Sequence, residues 1–254
     1  MNRDIYRSLA LLGTTAMVLA CGTVDAPGPL EPGPQGRIRF VNLVTDPARN
    51  PVNAILEDVP FGVNLAYGGT TPSSLPAPAT ANYSAILVGD RTLELVRTAD
   101  PTVSLGTFTI PIVQDQDITV YAIGGTGGTA VTIATTVDDN TAPGAGQVRF
   151  RVTHMSPTMG PVDVFITAAG ADLTGVTPIA SGLAYKGATS FGSVAPGTYV
   201  VRFVPAGTVP ASRNASVVLT SASTALAANT GRTFIARDAA AGGAPLGVTV
   251  ITDQ

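Results

Sequence analysis

Hydrophobic and polar residues alternate over short stretches of this chain. Val148, Phe150 and Val152 fall on one face of an extended segment, with Arg149 and Arg151 on the other. Ile38 and Phe40 repeat the arrangement, with Arg37 and Arg39 opposite. A little further on, Val162, Val164 and Ile166 alternate around Asp163, as Val52, Ala54 and Leu56 do around Asn53. A period of two marks a half-buried β-strand. These stretches are also copies of one another. Gly146 to Phe165 echoes Gly36 to Ile55 at a constant offset of 110 residues, which places Phe40 on Phe150 and Asp46-Pro47 on Ser156-Pro157. Pro51-Val52-Asn53 falls on Pro161-Val162-Asp163 in the same register. Leu65-Ala66-Tyr67 then answers Leu183-Ala184-Tyr185 at an offset of 118, so the second copy carries eight extra residues before it.

Two copies of one β-rich module account for residues 36–140 and 146–254. Further strands are expected at Val103–Ile110, Asp117–Ile123 and Thr129–Val137 in the first copy. The second copy should add Thr198–Val204, Ala215–Thr220, Arg232–Arg237 and Val248–Thr252. Pro196-Gly197 can form a type II turn that launches the first of these, and Pro72 to Ala81 reads as a loop that the second copy lacks. The 28 glycines and 20 prolines interrupt the chain too often for long helices. About seven short strands per module fit an all-β chain of two tandem immunoglobulin-like antiparallel β-sandwiches. The short link at residues 141–145 suggests that they sit end to end.

Before the modules the pattern changes. Leu9 to Ala20 is apolar or small except for Thr14 and Thr15, and Arg3 and Arg7 precede it. Twelve residues are too few to span a bilayer but suit the core of a signal peptide, here residues 1–20. Val18-Leu19-Ala20-Cys21 resembles the bacterial lipobox, and Cys21 is the only cysteine in 254 residues. The resemblance implies cleavage before Cys21 and lipidation of it, which would anchor the chain to a membrane. Gly22 in the next position resembles lipoproteins sorted to the outer membrane. Pro27, Pro29, Pro32 and Pro34 make residues 21–35 an extended tether, reaching about 40 Å at roughly 3.1 Å per residue. With one cysteine no internal disulfide can form.

Charge narrows the function classes. Only 12% of residues are charged and the formal net charge is −3, without a basic run, so no footprint for nucleic acid is present. Residues 36–140 carry a net −5 and residues 146–254 a net +3. Two solvated surfaces of different composition account for this, while docking of the modules by opposite charge is the sharper alternative. His154 is the only histidine, which excludes a two-histidine metal site. By parity it leans to the inward face at a strand end, where it would fix the Ser156-Pro157 turn. Asp115, Asp117, Asp138 and Asp139 could meet on calcium. The second copy has Asn229, Arg232 and Asp253 in the corresponding places, so a solvated acidic rim is the simpler expectation. The tyrosines and phenylalanines Tyr67, Tyr83, Tyr121, Tyr185, Tyr199, Phe40, Phe150 and Phe203 read as core. The absence of tryptophan removes the usual sugar-stacking platform.

Three pieces of the second module carry a family resemblance. They are Val148 to Pro157, Pro161 to Phe165 and Ala195 to Arg202, the last containing Pro196-Gly197-Thr198-Tyr199. Together they resemble the bacterial domain of unknown function 4397. The first module is similar in order but departs at Asn42-Leu43 and at Val88 to Thr92. The resemblance implies an exported β-sandwich, often in tandem on bacterial surface proteins, and brings no catalytic residues, cofactor or metal. The expected function is that of a non-catalytic envelope lipoprotein whose modules make structural or adhesive contact. A module for polysaccharide or another ligand is the alternative, and an envelope hydrolase a remote one. Expected partners are the membrane, through Cys21, and an envelope protein or polysaccharide.

Overall fold

The computed structural model describes residues 33–72 and 82–253. The expected signal peptide, Cys21 and the tether up to Pro32 lie outside the described residues. The first copy folds into β1 (Gln35–Val44), β2 (Val52–Leu56), β3 (Val59–Leu65), β4 (Thr70–Thr71), β5 (Ser84–Leu87), β6 (Gly89–Arg97), β7 (Ser104–Ile112), β8 (Asp117–Gly124) and β9 (Val131–Asp138). The second copy gives β10 (Val148–His154), β11 (Val162–Thr167), β12 (Ala180–Leu183), β13 (Gly192–Val194), β14 (Gly197–Pro205), β15 (Leu219–Thr220), β16 (Thr224–Leu226), β17 (Gly231–Arg237) and β18 (Gly247–Thr252). Among the described residues the helical content is confined to three short 3-10 turns.

Each copy is a sandwich of two sheets. The first has the orders β4-β1-β8-β9, with β5 also on β1, and β3-β2-β6-β7. The second repeats them as β13-β10-β17-β18 and β12-β11-β14-β15, with β16 also on β14. The strands are antiparallel with two exceptions, because β1 pairs in parallel with β8 and β10 with β17. The fold is therefore all-β and sandwich-like, but one sheet of each pair is mixed. Each sandwich fills its own interior. Ile38, Phe40, Leu93, Leu95, Ile110 and Val120 close the first core. Val148, Phe150, Val152, Val164, Phe203 and Phe234 close the second. Full burial of such a side chain stabilises by about 1.5–3 kcal/mol before conformational entropy is subtracted.

The opposite faces of β1, β8, β10 and β17 are buried as well. Val41, Leu43, Tyr121 and Ile123 from the first copy pack with Met155 and Ile235 from the second in a third cluster. The sandwiches accordingly lie side by side rather than end to end. At one end Arg39 and Arg151, near the starts of their strands, both reach Asp138. At the other the Tyr67 hydroxyl donates to the Asp238 carbonyl at 2.6 Å, and Lys186 Nζ lies 3.3 Å from Thr132 Oγ1. An end-to-end arrangement would leave two apolar sheet faces in water.

The repeat register also shifts. Asn42 exchanges backbone hydrogen bonds with Gly68 and Gly69 at 2.7 and 2.9 Å, as His154 does with Lys186 and Gly187 at 2.7 and 2.8 Å. Asn42 is thus the counterpart of His154, at an offset of 112, while Val52 and Val162 keep 110 through their pairing with Leu65 and Leu183. The first copy is longer here by two residues, one full pleat, so every side chain keeps its face. Two local expectations need correction. Of Ala215–Thr220 only Leu219–Thr220 is strand, as β15, and the segment begins in a 3-10 turn at Asn214–Ser216, where the Asn214 side chain accepts from the Leu173 amide at 3.0 Å and donates to Asp172 at 2.5 Å. Gly197 does not adopt the left-handed backbone that a type II turn requires, and it opens β14 directly.

Candidate functional site

The polar residues on the buried faces form a closed network between the sandwiches. Arg39 is 2% exposed and Arg151 1%. Their Nε groups make equivalent bonds within their own sheets, Arg39 to Thr119 Oγ1 and Arg151 to Thr233 Oγ1, both at 3.0 Å. Each guanidinium then crosses to the other sandwich, Arg39 to Asp253 at 2.8 Å and Arg151 to Asp138 at 2.5 Å. Thr119 and the Tyr83 hydroxyl donate to Asp138, and Thr233 donates to Asp253 at 2.7 Å. Burial pulls the Arg39 pKa down, but Tyr83, Asp253 and Asp138 more than reverse this, and the net direction is up. Arg151 is raised in the same way against its burial, by Tyr121, Asp138 and Asp253. Two cations and two anions thus balance within one water-poor space, the condition under which buried charge is tolerated.

Each arginine pair also holds an aromatic ring. Arg37 and Arg39 lie 5.7 and 4.6 Å from the centre of Tyr83, and Arg149 and Arg151 lie 4.7 and 4.8 Å from that of Phe191. The network accounts for how the modules meet. Each contributes one arginine and one aspartate, so pairing depends on local alternation rather than on the opposite net charges. Several aromatics expected in the core belong to this interface instead. Tyr121 packs between the sandwiches, Tyr83 bonds the network, and Tyr67 and Tyr185 are half-buried at its far end. Phe40, Phe150 and Phe203 are core residues.

His154, Asp117, Asp138 and Asp139 are bound to other protein groups. His154 is fully buried, its Nε2 3.1 Å from the Gly160 carbonyl and its Nδ1 accepting from the Ser156 amide at 3.4 Å. Burial lowers its pKa, so the ring is neutral and bridges the loop from Met155 to Pro161. Asp117 is paired with Arg37 at 2.5 Å and accepts from Asn140 at 2.6 Å. Asp138 lies in the network, and Asp139 is held well below the usual carboxylate range by Arg149 and Thr141. Asp115 sits in a left-handed turn. Asp117, Asp138 and Asp139 do gather at one sheet end, but around arginines. Among the described residues no three His, Cys, Asp or Glu side chains are placed to hold a metal ion. The exposed large apolar side chains among them are valine, leucine and isoleucine, without an aromatic row.

Two grooves lie at equivalent edges of the two sandwiches. Between β3 and β5 a groove of about 340 Å³ is lined by Leu56, Phe61, Ile86 and Leu87, with Glu57 and Arg91 on its wall. Between β12 and β13 the corresponding groove measures about 740 Å³. Phe150, Ile166, Leu183 and Val194 form its apolar floor, Ser181 and Thr189 contribute hydroxyls, and no charged residue lines it. One exchange distinguishes the two. In the first sandwich Thr71 Oγ1 donates to the Phe61 carbonyl at 2.6 Å and ties one sheet to the other. Gly62 makes room, since a Cβ there would stand 2.8 Å from Thr71 Cγ2. In the second sandwich Ala180 takes the place of Gly62, as its pairing with Val164 matches that of Gly62 with Ala54. There Thr189 accepts from the Val152 amide at 3.0 Å and donates to the Ser190 carbonyl at 2.8 Å. Its hydroxyl makes no bond to β12, and the edge opens. Neither the network nor the groove was singled out from the sequence. The available signal was an arginine at the same outward strand position in both copies.

Comparison with known proteins gives a family and little else. No curated protein matches the chain. Among solved structures, a Bacteroides ovatus protein suggested to act in cell adhesion aligns over 85% of this chain and 95% of its own, at 10% identity and a TM-score of 0.23. A leucine-rich repeat protein of Bacteroides thetaiotaomicron aligns over 82% of this chain and 26% of its own, at 14% identity and a TM-score of 0.18. Similarity this low carries no argument about the present chain. The family model described as "Domain of unknown function (DUF4397)" matches residues 36–165. That range takes in the first sandwich, β10 and the first four residues of β11, including two of the three pieces that carried the resemblance. The chain belongs to the DUF4397 family.

Proposed function

We propose that the protein is a non-catalytic envelope lipoprotein, exported and anchored through Cys21 at the outer membrane or cell surface. Its paired sandwiches make structural or adhesive contact there. The observation that supports this reading best is the buried Arg39–Asp253 and Arg151–Asp138 lock. It joins two small sandwiches into one stiff body and uses charged groups for assembly. Among the described residues, neither edge groove is lined by two carboxylates, as glycoside hydrolysis would ask. A ligand-binding role is the second reading, favoured by the uncharged groove of the second sandwich.

The anchor is tested by Cys21→Ser. The variant should move from the membrane fraction to the soluble fraction when cells are broken without detergent. Retention on the membrane would overturn the lipoprotein reading.

A further inference from the structure

We propose that the groove between β12 and β13 is a docking site for an uncharged, extended segment of a partner protein, taken up by strand addition. This rests on the reading of the molecule as a contact protein and names the class of contact. Both lips are terminal strands of their sheets, β12 of one and β13 of the other, so among the described residues neither outer edge is paired with another strand. An exposed strand edge recognises another backbone through main-chain hydrogen bonds, while side-chain pockets choose the sequence. The groove supplies such pockets, with Phe150, Ile166, Leu183 and Val194 at its floor and serine and threonine hydroxyls at its rim. No charge lines it, so an aspartate or lysine placed inside would lose water without gaining a partner. Its size, about 740 Å³, falls in the range of ligand sites and exceeds that of a void left by packing.

The first sandwich provides an internal comparison. There the Thr71–Phe61 tie crosses the equivalent gap, and the remaining groove is about 340 Å³ with a Glu57–Arg91 pair at 3.6 Å on its wall. One fold in one chain therefore occurs closed and open, with Gly62 beside the tie in the closed copy and Ala180 in the same place in the open one. A glycan fits the open groove less well. Phe150 is buried at 4% exposure and Phe191 lies against Arg149 and Arg151, so neither ring offers a free stacking face.

The test uses the full chain in detergent and three fluorescein-labelled hexapeptides. One alternates valine with threonine, and the other two replace threonine by aspartate or by lysine. The neutral peptide should bind saturably and at least about ten-fold more tightly than either charged one. Its binding should slow amide hydrogen exchange in Ala180–Leu183 and Gly192–Val194. Ala188→Trp, at the groove rim, should weaken binding about ten-fold with an unchanged melting temperature. If that variant melts early, the exchange pattern of the unaltered chain decides. Absence of saturation up to about 1 mM, or protection confined to other strands, would overturn the proposal. So would protection of β12 and β13 by a neutral oligosaccharide but not by the peptide. The Cys21→Ser fractionation stays independent, since the groove does not involve the anchor.

Discussion

At the scale of single residues, His154 and Asn42 solve one problem with different side chains. His154 ends β10 and Asn42 lies two residues before the end of β1, and both accept a hydrogen bond from the amide two residues on. Asn42 Oδ1 takes it from Val44 at 3.0 Å, and His154 Nδ1 from Ser156 at 3.4 Å. His154→Ala should therefore destabilise the protein by about 0.5–1.5 kcal/mol. His154→Asn, which copies the first sandwich, should recover much of that loss. The pH dependence separates the two further. Burial depresses the folded pKa of His154 below its ordinary 6.5. Above that value neither state is protonated there and the contribution is complete. As pH falls below it the unfolded chain takes up a proton that the folded chain refuses, and stability is lost. Thermal melts between pH 7.5 and 5 (values spanning the ordinary histidine range) should show a decline that His154→Asn reduces. An identical decline in that variant would exclude His154 as its source. The inward lean of His154 was legible because parity along Val148, Phe150 and Val152 dictates it. The burial of Arg39 and Arg151 was not, since arginine opposite an apolar face normally reads as solvated, and only the second sandwich reveals the cover.

Among elements, the sequence pattern located strands where one face alone was buried or where an apolar run was continuous. β8, β9, β14, β17 and β18 fall within a few residues of expectation. It failed where loop side chains replace the ladder, as at Asn214, and for the short edge strands β12, β13 and β16, which have too few residues to display a period. The offset of 110 was correct for β2 and β11 but two residues short for β1 and β10, because a two-residue extension is invisible to parity. The closing of the first sandwich's edge depends on one such unremarkable position. At Gly62 a methyl group would stand 2.6 Å from Leu65 Cδ1 and 2.8 Å from Thr71 Cγ2. Gly62→Ala should push Thr71 away from the Phe61 carbonyl and cost about 1–3 kcal/mol, the usual range for overpacking. Chemical denaturation measures the loss. Amide exchange at β3 and β4 should rise in parallel, and an unchanged variant would show that Thr71 does not hold the edge.

At the scale of the molecule, two complete cores would by themselves predict two independent folding units. The third cluster argues otherwise. Separation would bare Val41, Leu43, Tyr121, Ile123, Met155 and Ile235 and strip Arg39 and Arg151 of their cross-sandwich carboxylates. While the interface stays closed, removing one member of the network leaves its partner buried and unpaired at a cost of about 3–5 kcal/mol, a large share of the stability of a domain this size. The intact chain should therefore unfold in one calorimetric transition whose van't Hoff and calorimetric enthalpies agree. Arg151→Met removes one cation and leaves Asp138 with Arg39 at 3.4 Å as its only ion-pair partner among the described residues. That variant should melt earlier and resolve into two transitions, one for each sandwich. The fragment Gly144–Gln254 should keep β-type circular dichroism, because its interior cluster is complete within it, yet melt below the intact chain. Two transitions in the unaltered protein, or a fragment as stable as the whole, would mean that the Arg–Asp lock joins the sandwiches without coupling their folding.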